Sequence, residues 1–265
     1  MRLLITNCKE RWPIAMPRRL AYQLYHFFWT SLDWLYPPAC GGCDQRGERW
    51  CKSCQQSVQT ISVPLCPHCG QSQPNGEICT RCQTTTPHYQ ALRSWAVFQG
   101  KIRNALHRLK YHRDVGLGEA LARPLSEYFR QLEWQVDLVV PVPLGANRMA
   151  ERGYNQATLL ARPLAWANNL SFHAKALWRT RETRSQVGLS AISRQENVAG
   201  AFQAKPGFVR DRNVLVVDDV TTSGATLDSC ACALLAAGAR TIYGLTLARA
   251  VLSSTDGIST QSFNI

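Results

Sequence analysis

The segment VLVVDDVTTSGAT, Val214 to Thr226, combines residue types that suit a phosphorylated sugar. Four apolar residues are followed by Asp218 and Asp219 and then by a hydroxyl-rich loop around Gly224. Carboxylates only accept hydrogen bonds, which suits ribose hydroxyls. Backbone N–H groups at the start of a following helix bind a phosphate, and a glycine permits close approach of the backbone. The segment therefore predicts a sugar-phosphate site, since an aspartate cap on an ordinary helix would explain only part of it.

Eight of the 11 cysteines form four CxxC pairs in one short segment. A CxxC turn places two sulfurs on the same side of the chain, and tetrahedral zinc takes four thiolates, so two pairs make one closed structural site. Pairing in sequence order is the simplest choice, and crossed pairing stays open. Redox or disulfide pairs are disfavoured because no helix or βαβ pattern surrounds them. The sequence predicts two Zn²⁺ sites with these ligands: Cys40, Cys43, Cys51 and Cys54 in one, and Cys66, Cys69, Cys79 and Cys82 in the other.

The positive charge is concentrated in the N-terminal half of the chain. Residues 1–113 hold 15 of the 30 basic residues but only 5 of the 18 acidic ones. Such an excess is typical of proteins that bind polyanions, although a solvated basic surface is the other interpretation. The helical pattern KIRNALHRLKYHR predicts a diffuse band of charge that binds single-stranded DNA without sequence preference, formed by Lys101, Arg103, Arg108, Lys110 and Arg113.

The chain divides into four predicted parts. Residues 1–36 form an extension in which LAYQLYHFFWTSLDWLY predicts an amphipathic helix that packs on the protein; docking to a membrane surface or a partner is the alternative. Polar interruptions argue against a signal peptide or a transmembrane helix. Residues 37–87 hold the zinc ribbons. Residues 88–250 alternate strand and helix patterns, which predicts an α/β domain with a parallel sheet, and residues 251–265 form a flexible tail. The cysteine usage favours a reducing, cytoplasmic location.

Ligands of open α/β sheets bind beyond the carboxyl ends of the strands. The loops to consider are therefore those after Pro143, Thr180 and Asp219. The loop after Thr180 is long, polar and basic. It predicts a lid that closes over the site and contains Arg181, Arg184 and Arg194, although a solvated helix face is the other interpretation of these arginines.

Two segments resemble type I phosphoribosyltransferases. VLVVDDVTTSGAT resembles their phosphoribosyl-pyrophosphate motif, and VPVPLGANRMAERGYNQ resembles their pyrophosphate loop. The resemblance implies that Mg²⁺ accompanies phosphoribosyl pyrophosphate and that Asp218 and Asp219 are catalytic residues that contact the ribose hydroxyls. It also implies the residues that bind the phosphates: Arg148 and Arg152 for the diphosphate, and Thr222, Ser223, Gly224, Ala225 and Thr226 for the 5′-phosphate.

The wider combination of motifs resembles the competence protein F family over about residues 33–250. Besides the zinc pairs, the segments that support it are LDWLYPPACGGC, RGYNQATLLARPL, RTRETRSQVGLS and RQENVAGAF. The resemblance implies an N-terminal double zinc ribbon joined to a phosphoribosyltransferase-type α/β domain, in a protein of DNA uptake or utilisation. Three functions stay open: a salvage-type phosphoribosyltransferase, a protein that binds single-stranded DNA, and an adaptor of the DNA-uptake machinery with a sugar-phosphate sensor. No residues identify a nucleobase pocket, which counts against salvage.

Overall fold

A parallel five-stranded sheet forms the centre of the protein. The computed structural model describes residues 18–35, 37–181 and 200–250. The strands, numbered along the chain, are β1 (Ala91–Val97), β2 (Leu138–Pro141), β3 (Ser171–Phe172), β4 (Leu177–Arg179), β5 (Phe202–Ala204), β6 (Asn213–Thr221) and β7 (Thr241–Arg249). The sheet has the order β1-β7-β6-β2-β3, and each neighbouring pair is parallel. The predicted α/β class with a parallel sheet is confirmed.

Helices surround this sheet and the cysteine pairs. In the described residues they are α1 (Arg18–Leu35), α2 (Lys52–Gln56), α3 (Thr80–Thr84), α4 (Gly100–Tyr111), α5 (Gly116–Gln131), α6 (Ala146–Arg152), α7 (Gln156–Ala167), α8 (Pro206–Val209) and α9 (Ala225–Ala236). Side chains of α4, α5 and α7 share one core cluster with the sheet, and side chains of α9 share the other. The sheet is therefore the middle layer of three.

Strand β6 contains four consecutive apolar residues, 214–217, with no polar residue among them. Successive side chains of a strand point to opposite faces of the sheet. Leu215 and Val217 accordingly pack in the cluster with α4, α5 and α7, whereas Val214 and Val216 pack in the cluster with α9. Because both faces are covered, every position in this run is buried, as is typical of a central parallel strand.

The segment KALWRT forms a strand, as predicted, but this strand lies outside the parallel sheet. It is β4, which pairs antiparallel with β5. No strand is predicted from the sequence at the position of β5. The two strands flank residues 182–199, so Arg184 and Arg194 of the predicted lid lie outside the described residues, while Arg181 is exposed at the end of β4.

Helix α1 packs on the α/β part, as its amphipathic pattern predicts. The Tyr25 ring meets the Trp166 ring of α7 edge to face, with centroids 5.5 Å apart, and His26 Nδ1 lies 2.8 Å from Glu119 Oε1 of α5. Its other side keeps Phe27 and Trp34 exposed. Among the described helices, none has the length and apolar character that crossing a membrane requires. Residues 1–17 of the predicted extension and the predicted tail, 251–265, lie outside the described residues.

Candidate functional site

The predicted sugar-phosphate residues line one pocket at the carboxyl ends of β2 and β6. Those ends are adjacent because the two strands pair directly and in parallel. This is the edge of an open α/β sheet at which ligands bind. The predicted residues that line the pocket are Arg148, Arg152, Asp218, Asp219, Thr222, Gly224, Ala225 and Thr226. Ser223 does not line it, and instead borders an adjoining cleft on the other side of the loop.

The two adjacent aspartates serve opposite faces of the sheet, because the alternation of β6 continues through them. Asp219 continues the face of Leu215 and Val217, toward α4 and α7. Asp218 continues the face of α9. Asp219 is buried, with 4% of its surface exposed, whereas Asp218 is partly buried.

Asp219 forms a buried ion pair with Lys110 of α4. The Lys110 Nζ lies 2.7 Å from Asp219 Oδ2, and Gln156 Nε2 of α7 donates to Oδ1 at 3.3 Å. Burial by itself would raise the pKa of Asp219. The Lys110 charge, together with the hydrogen bonds to Asp219, outweighs burial, so the pKa lies below its usual value. Asp219 is therefore a fixed carboxylate on the floor of the pocket.

Asp218 has the opposite electrostatic character. Burial raises its pKa well above the usual value, and the negative charge of Asp219 raises it further. Two adjacent carboxylates in a partly dry site resist simultaneous ionisation. A bound cation or a hydrogen-bonding ligand would shift Asp218 toward its charged form, so its protonation is coupled to occupation of the pocket.

The loop 222–226 has the geometry expected of a backbone anion site. Gly224 has a φ of +85°, and a Cβ at this position would lie 2.9 Å from the Tyr89 hydroxyl. Only glycine combines that conformation with that close contact. Helix α9 begins directly after Gly224, so its first backbone N–H groups lie at the pocket and have no partner within the helix.

Cationic side chains surround the carboxylates. Arg148 and Arg152 belong to the short helix α6, and Arg152 Nη1 donates to Gln156 Oε1 at 2.9 Å. Lys110 and Arg179 also line the pocket. Four basic side chains thus meet two acidic ones. The net field is positive and suits a ligand with several phosphate groups.

Lys110, Gln156 and Arg179 also line the pocket, but the sequence does not identify them as site residues. A signal exists for Arg179, because it ends a strand whose following loop is a predicted part of the site. Gln156 lies within the segment that resembles the pyrophosphate loop. The charge pattern of α4 predicts that Lys110 belongs to the exposed basic band, but in the structure Lys110 lies in the pocket.

The basic band on α4 is smaller than the sequence predicts. Lys110 is 8% exposed and lies in the pocket. Arg108 forms ion pairs with Asp44 and Asp114 and donates to the Cys40 carbonyl, so it packs against the first zinc ribbon. These interactions occupy both side chains and contradict their assignment to an open DNA surface. The exposed basic residues of the band are Lys101, Arg103 and Arg113.

The eight paired cysteines form two clusters in sequence order. The sulfurs of each set lie within 4.8 Å of one another, and the sets are Cys40, Cys43, Cys51 and Cys54, and Cys66, Cys69, Cys79 and Cys82. This geometry fits two tetrahedral four-thiolate zinc sites and excludes crossed pairing.

Backbone N–H groups also point at the cysteine sulfurs. The Cys51 N–H donates to Cys40 Sγ at 3.4 Å, and the Cys79 N–H donates to Cys66 Sγ at 3.5 Å. Such bonds stabilise thiolates. Each first pair lies in a turn closed by an isolated β-bridge, as the ribbon pattern predicts, but each second pair begins a short helix, α2 or α3.

The fold and these sites define a class of protein: an N-terminal pair of four-cysteine zinc sites joined to a parallel α/β domain with a cationic pocket. The double zinc ribbon domain model matches residues 31–83. The DNA utilization protein YhgH of Escherichia coli K12 is 33% identical over 205 residues, which cover 75% of this chain and 89% of the relative. Competence protein F of Haemophilus influenzae is 32% identical over 212 residues, covering 76% and 90%. The chain belongs to the competence protein F family.

Solved structures with similarity to this chain include phosphoribosyl-binding enzymes. An adenine phosphoribosyltransferase is 16% identical with a TM-score of 0.35, over 52% of this chain and 75% of that one. A glutamine phosphoribosylpyrophosphate amidotransferase from B. subtilis is 21% identical with a TM-score of 0.36, over 50% and 27%. At these TM-scores the likeness has no weight for function.

Proposed function

We propose that this protein binds phosphoribosyl pyrophosphate in the pocket at the carboxyl ends of β2 and β6, and that it acts in DNA uptake or utilisation. The observation that carries the binding proposal is the convergence of Lys110, Arg148, Arg152 and Arg179 around the acidic pair and the 222–226 loop. A diphosphate and a 5′-phosphate need two anion sites, and ribose hydroxyls between them need acceptors. The pocket offers groups of both kinds.

Each group has a role in this proposal. Arg148 and Arg152 neutralise the diphosphate as charge-assisted donors, and the N–H groups of residues 222–226 bind the 5′-phosphate. Asp218 and Asp219 accept from the ribose hydroxyls. Pairing with Lys110 holds Asp219 in its charged form, whereas burial raises the pKa of Asp218, and a bound cation would lower it again. Mg²⁺ would supply further charge neutralisation at the diphosphate, and an oxygen-ligand cation is compatible with the acidic pair.

The role in DNA uptake or utilisation rests on the relatives. The named relatives are DNA utilization proteins and competence proteins. Single-stranded DNA and proteins of the uptake machinery are the partners we propose, in the cytoplasm. Lys101, Arg103 and Arg113 are exposed and provide the positive surface for a strand.

Calorimetric titration with phosphoribosyl pyrophosphate and Mg²⁺ tests the binding proposal. Arg148→Met removes a pocket cation and is expected to weaken the Kd about tenfold, which corresponds to removal of one charge-assisted hydrogen bond. Arg123→Met is the matched control, because Arg123 is exposed on α5 and does not line the pocket. Equal Kd values for both variants and the wild type would refute the pocket assignment.

Two part-ligands separate the halves of the pocket. Ribose 5-phosphate should compete for the 222–226 loop and the acidic pair, whereas pyrophosphate should depend on Arg148 and Arg152. A pyrophosphate-release assay across nucleobases then asks whether binding leads to turnover. Release with one base would establish a phosphoribosyltransferase, and Asp218→Asn should abolish it.

A further inference from the structure

Two arginines connect the second zinc site to the 222–226 loop, from the side opposite the pocket. Arg249 ends β7 and is 5% exposed. Its Nη1 donates to the Thr222 carbonyl at 3.1 Å, and its Nη2 donates to the carbonyl of the zinc ligand Cys69. Arg81 lies on α3, between the ligands Cys79 and Cys82, and donates to the Ser223 carbonyl.

These hydrogen bonds determine how the loop presents its N–H groups. In a trans peptide, the carbonyl of one residue and the N–H of the next point in opposite directions. Fixing the Thr222 and Ser223 carbonyls on the zinc side therefore turns the Ser223 and Gly224 N–H groups away from the zinc ribbon. A phosphate site made of backbone N–H groups needs that orientation.

The pair of hydrogen bonds that the Arg249 guanidinium donates also depends on the folded zinc knuckle. A guanidinium has several donors in fixed geometry and can bind two carbonyls at once, which an ammonium cannot match. Because a small zinc module folds with its ion, we expect the Cys69 carbonyl and helix α3 to keep these positions only with zinc bound. The first zinc ribbon has different partners: Arg108 and Arg49 connect it to α4 and to Asp114.

We infer that the second zinc site positions the 222–226 loop for phosphate binding, with Arg81 and Arg249 as the positioning residues. The inference rests on the proposed function only for the identity of the ligand. By linkage, zinc at the second site and a phosphorylated ligand in the pocket stabilise each other. The zinc module is thus a structural part of the sugar-phosphate site.

Arg249→Lys and Arg81→Ala test this inference against Arg93→Ala. Arg93 is the matched control because its Nη1 donates to two carbonyls of the same knuckle, Cys66 at 3.4 Å and Pro67 at 3.0 Å, and to the Leu92 carbonyl, but not to the 222–226 loop. All three variants should keep two zinc ions by elemental analysis. Hydrogen exchange of the amides at 222–226 should accelerate in Arg249→Lys and Arg81→Ala and stay at the wild-type rate in Arg93→Ala.

Ligand binding gives the second readout. The Kd for phosphoribosyl pyrophosphate with Mg²⁺ should rise about tenfold in Arg249→Lys, as for removal of a charge-assisted bond, and should not change in Arg93→Ala. The ligand should also slow zinc release from the second site to a zinc-selective chromogenic chelator. Arg249→Lys should abolish that slowing.

The outcomes separate this inference from the proposed function. If wild type does not bind the ligand, the proposed function fails, while accelerated exchange in Arg249→Lys still supports positioning of the loop. If wild type binds but exchange and Kd are the same in Arg249→Lys and Arg93→Ala, the positioning role is refuted and the pocket proposal stands.

Discussion

Replacing Asp219 by asparagine is expected to destabilise the fold, because it leaves the buried Lys110 charge without its counterion. The ion pair spans 2.7 Å, and the two side chains are 8% and 5% exposed. A cation in such a site cannot recover its hydration when the partner is removed. The carboxylate thus stabilises the packing of α4 against β6.

The magnitude follows from the cost of breaking a buried pair. Removing one partner of such a pair costs about 3 to 5 kcal/mol, which is a large part of the total stability of a domain. Asp218→Asn is the matched control. Because burial already favours the neutral form of Asp218, an amide of the same shape should change the unfolding free energy by less than about 1 kcal/mol.

Equilibrium urea unfolding, in reducing buffer with zinc present, measures this difference. The four proteins of a double-mutant cycle are the wild type, Lys110→Met, Asp219→Asn and the double variant. Each single variant leaves a buried group without its partner, whereas the double variant leaves no unpaired charge. The destabilisation of the double variant should therefore be well below the sum of the two single effects. Additive effects, or a destabilisation below about 1 kcal/mol in Asp219→Asn, would refute the reasoning.

Four other perturbations test the pocket, the loop, the zinc sites and the basic surface. Burial and the Asp219 charge raise the pKa of Asp218, so its stability contribution is complete below its unfolded pKa, about 4, and is lost as pH rises through the folded pKa. Urea unfolding in a pH series from about 4 upward should therefore show a decline in stability that Asp218→Asn reduces, and equal slopes would contradict this. Gly224→Ala places a Cβ on a residue with positive φ and against Tyr89, so ligand affinity in the calorimetric titration should fall. Gly207→Ala, where a Cβ meets nothing within 4 Å, should leave the affinity unchanged. Elemental analysis under reducing conditions should find two zinc ions per chain, and one metal or none disproves the two-site assignment. Chelation should unfold the zinc ribbons and leave the circular-dichroism signal of the α/β domain largely unchanged. Replacing Lys101, Arg103 and Arg113 by alanine should weaken the salt dependence of single-stranded DNA binding, measured by anisotropy. The slope of log K against log salt concentration should decrease by about 0.7 for each phosphate that is no longer neutralised, and an unchanged slope excludes this surface.

The sequence alone determined those parts of the protein that are local in the chain. Each CxxC turn brings its own two sulfurs together, so the cysteine spacing predicts zinc chemistry without knowledge of any tertiary contact. The acidic pair, the glycine loop and the start of α9 are likewise contiguous, which is why one short segment predicts the centre of the pocket. The apolar strands predict a parallel sheet because buried strands lack alternation.

Only the tertiary structure decided which distant residues join these local units. Lys110 belongs to a helix whose charge pattern predicts a surface band, yet helix packing brings it to Asp219, 109 positions along the chain. Arg179 and Gln156 reach the pocket from other elements. Arg249 binds the Cys69 carbonyl across a separation of 180 residues. Periodicity fixes which face of an element is apolar, but the order of strands and the packing of helices fix which polar groups meet, because those interactions depend on the whole core.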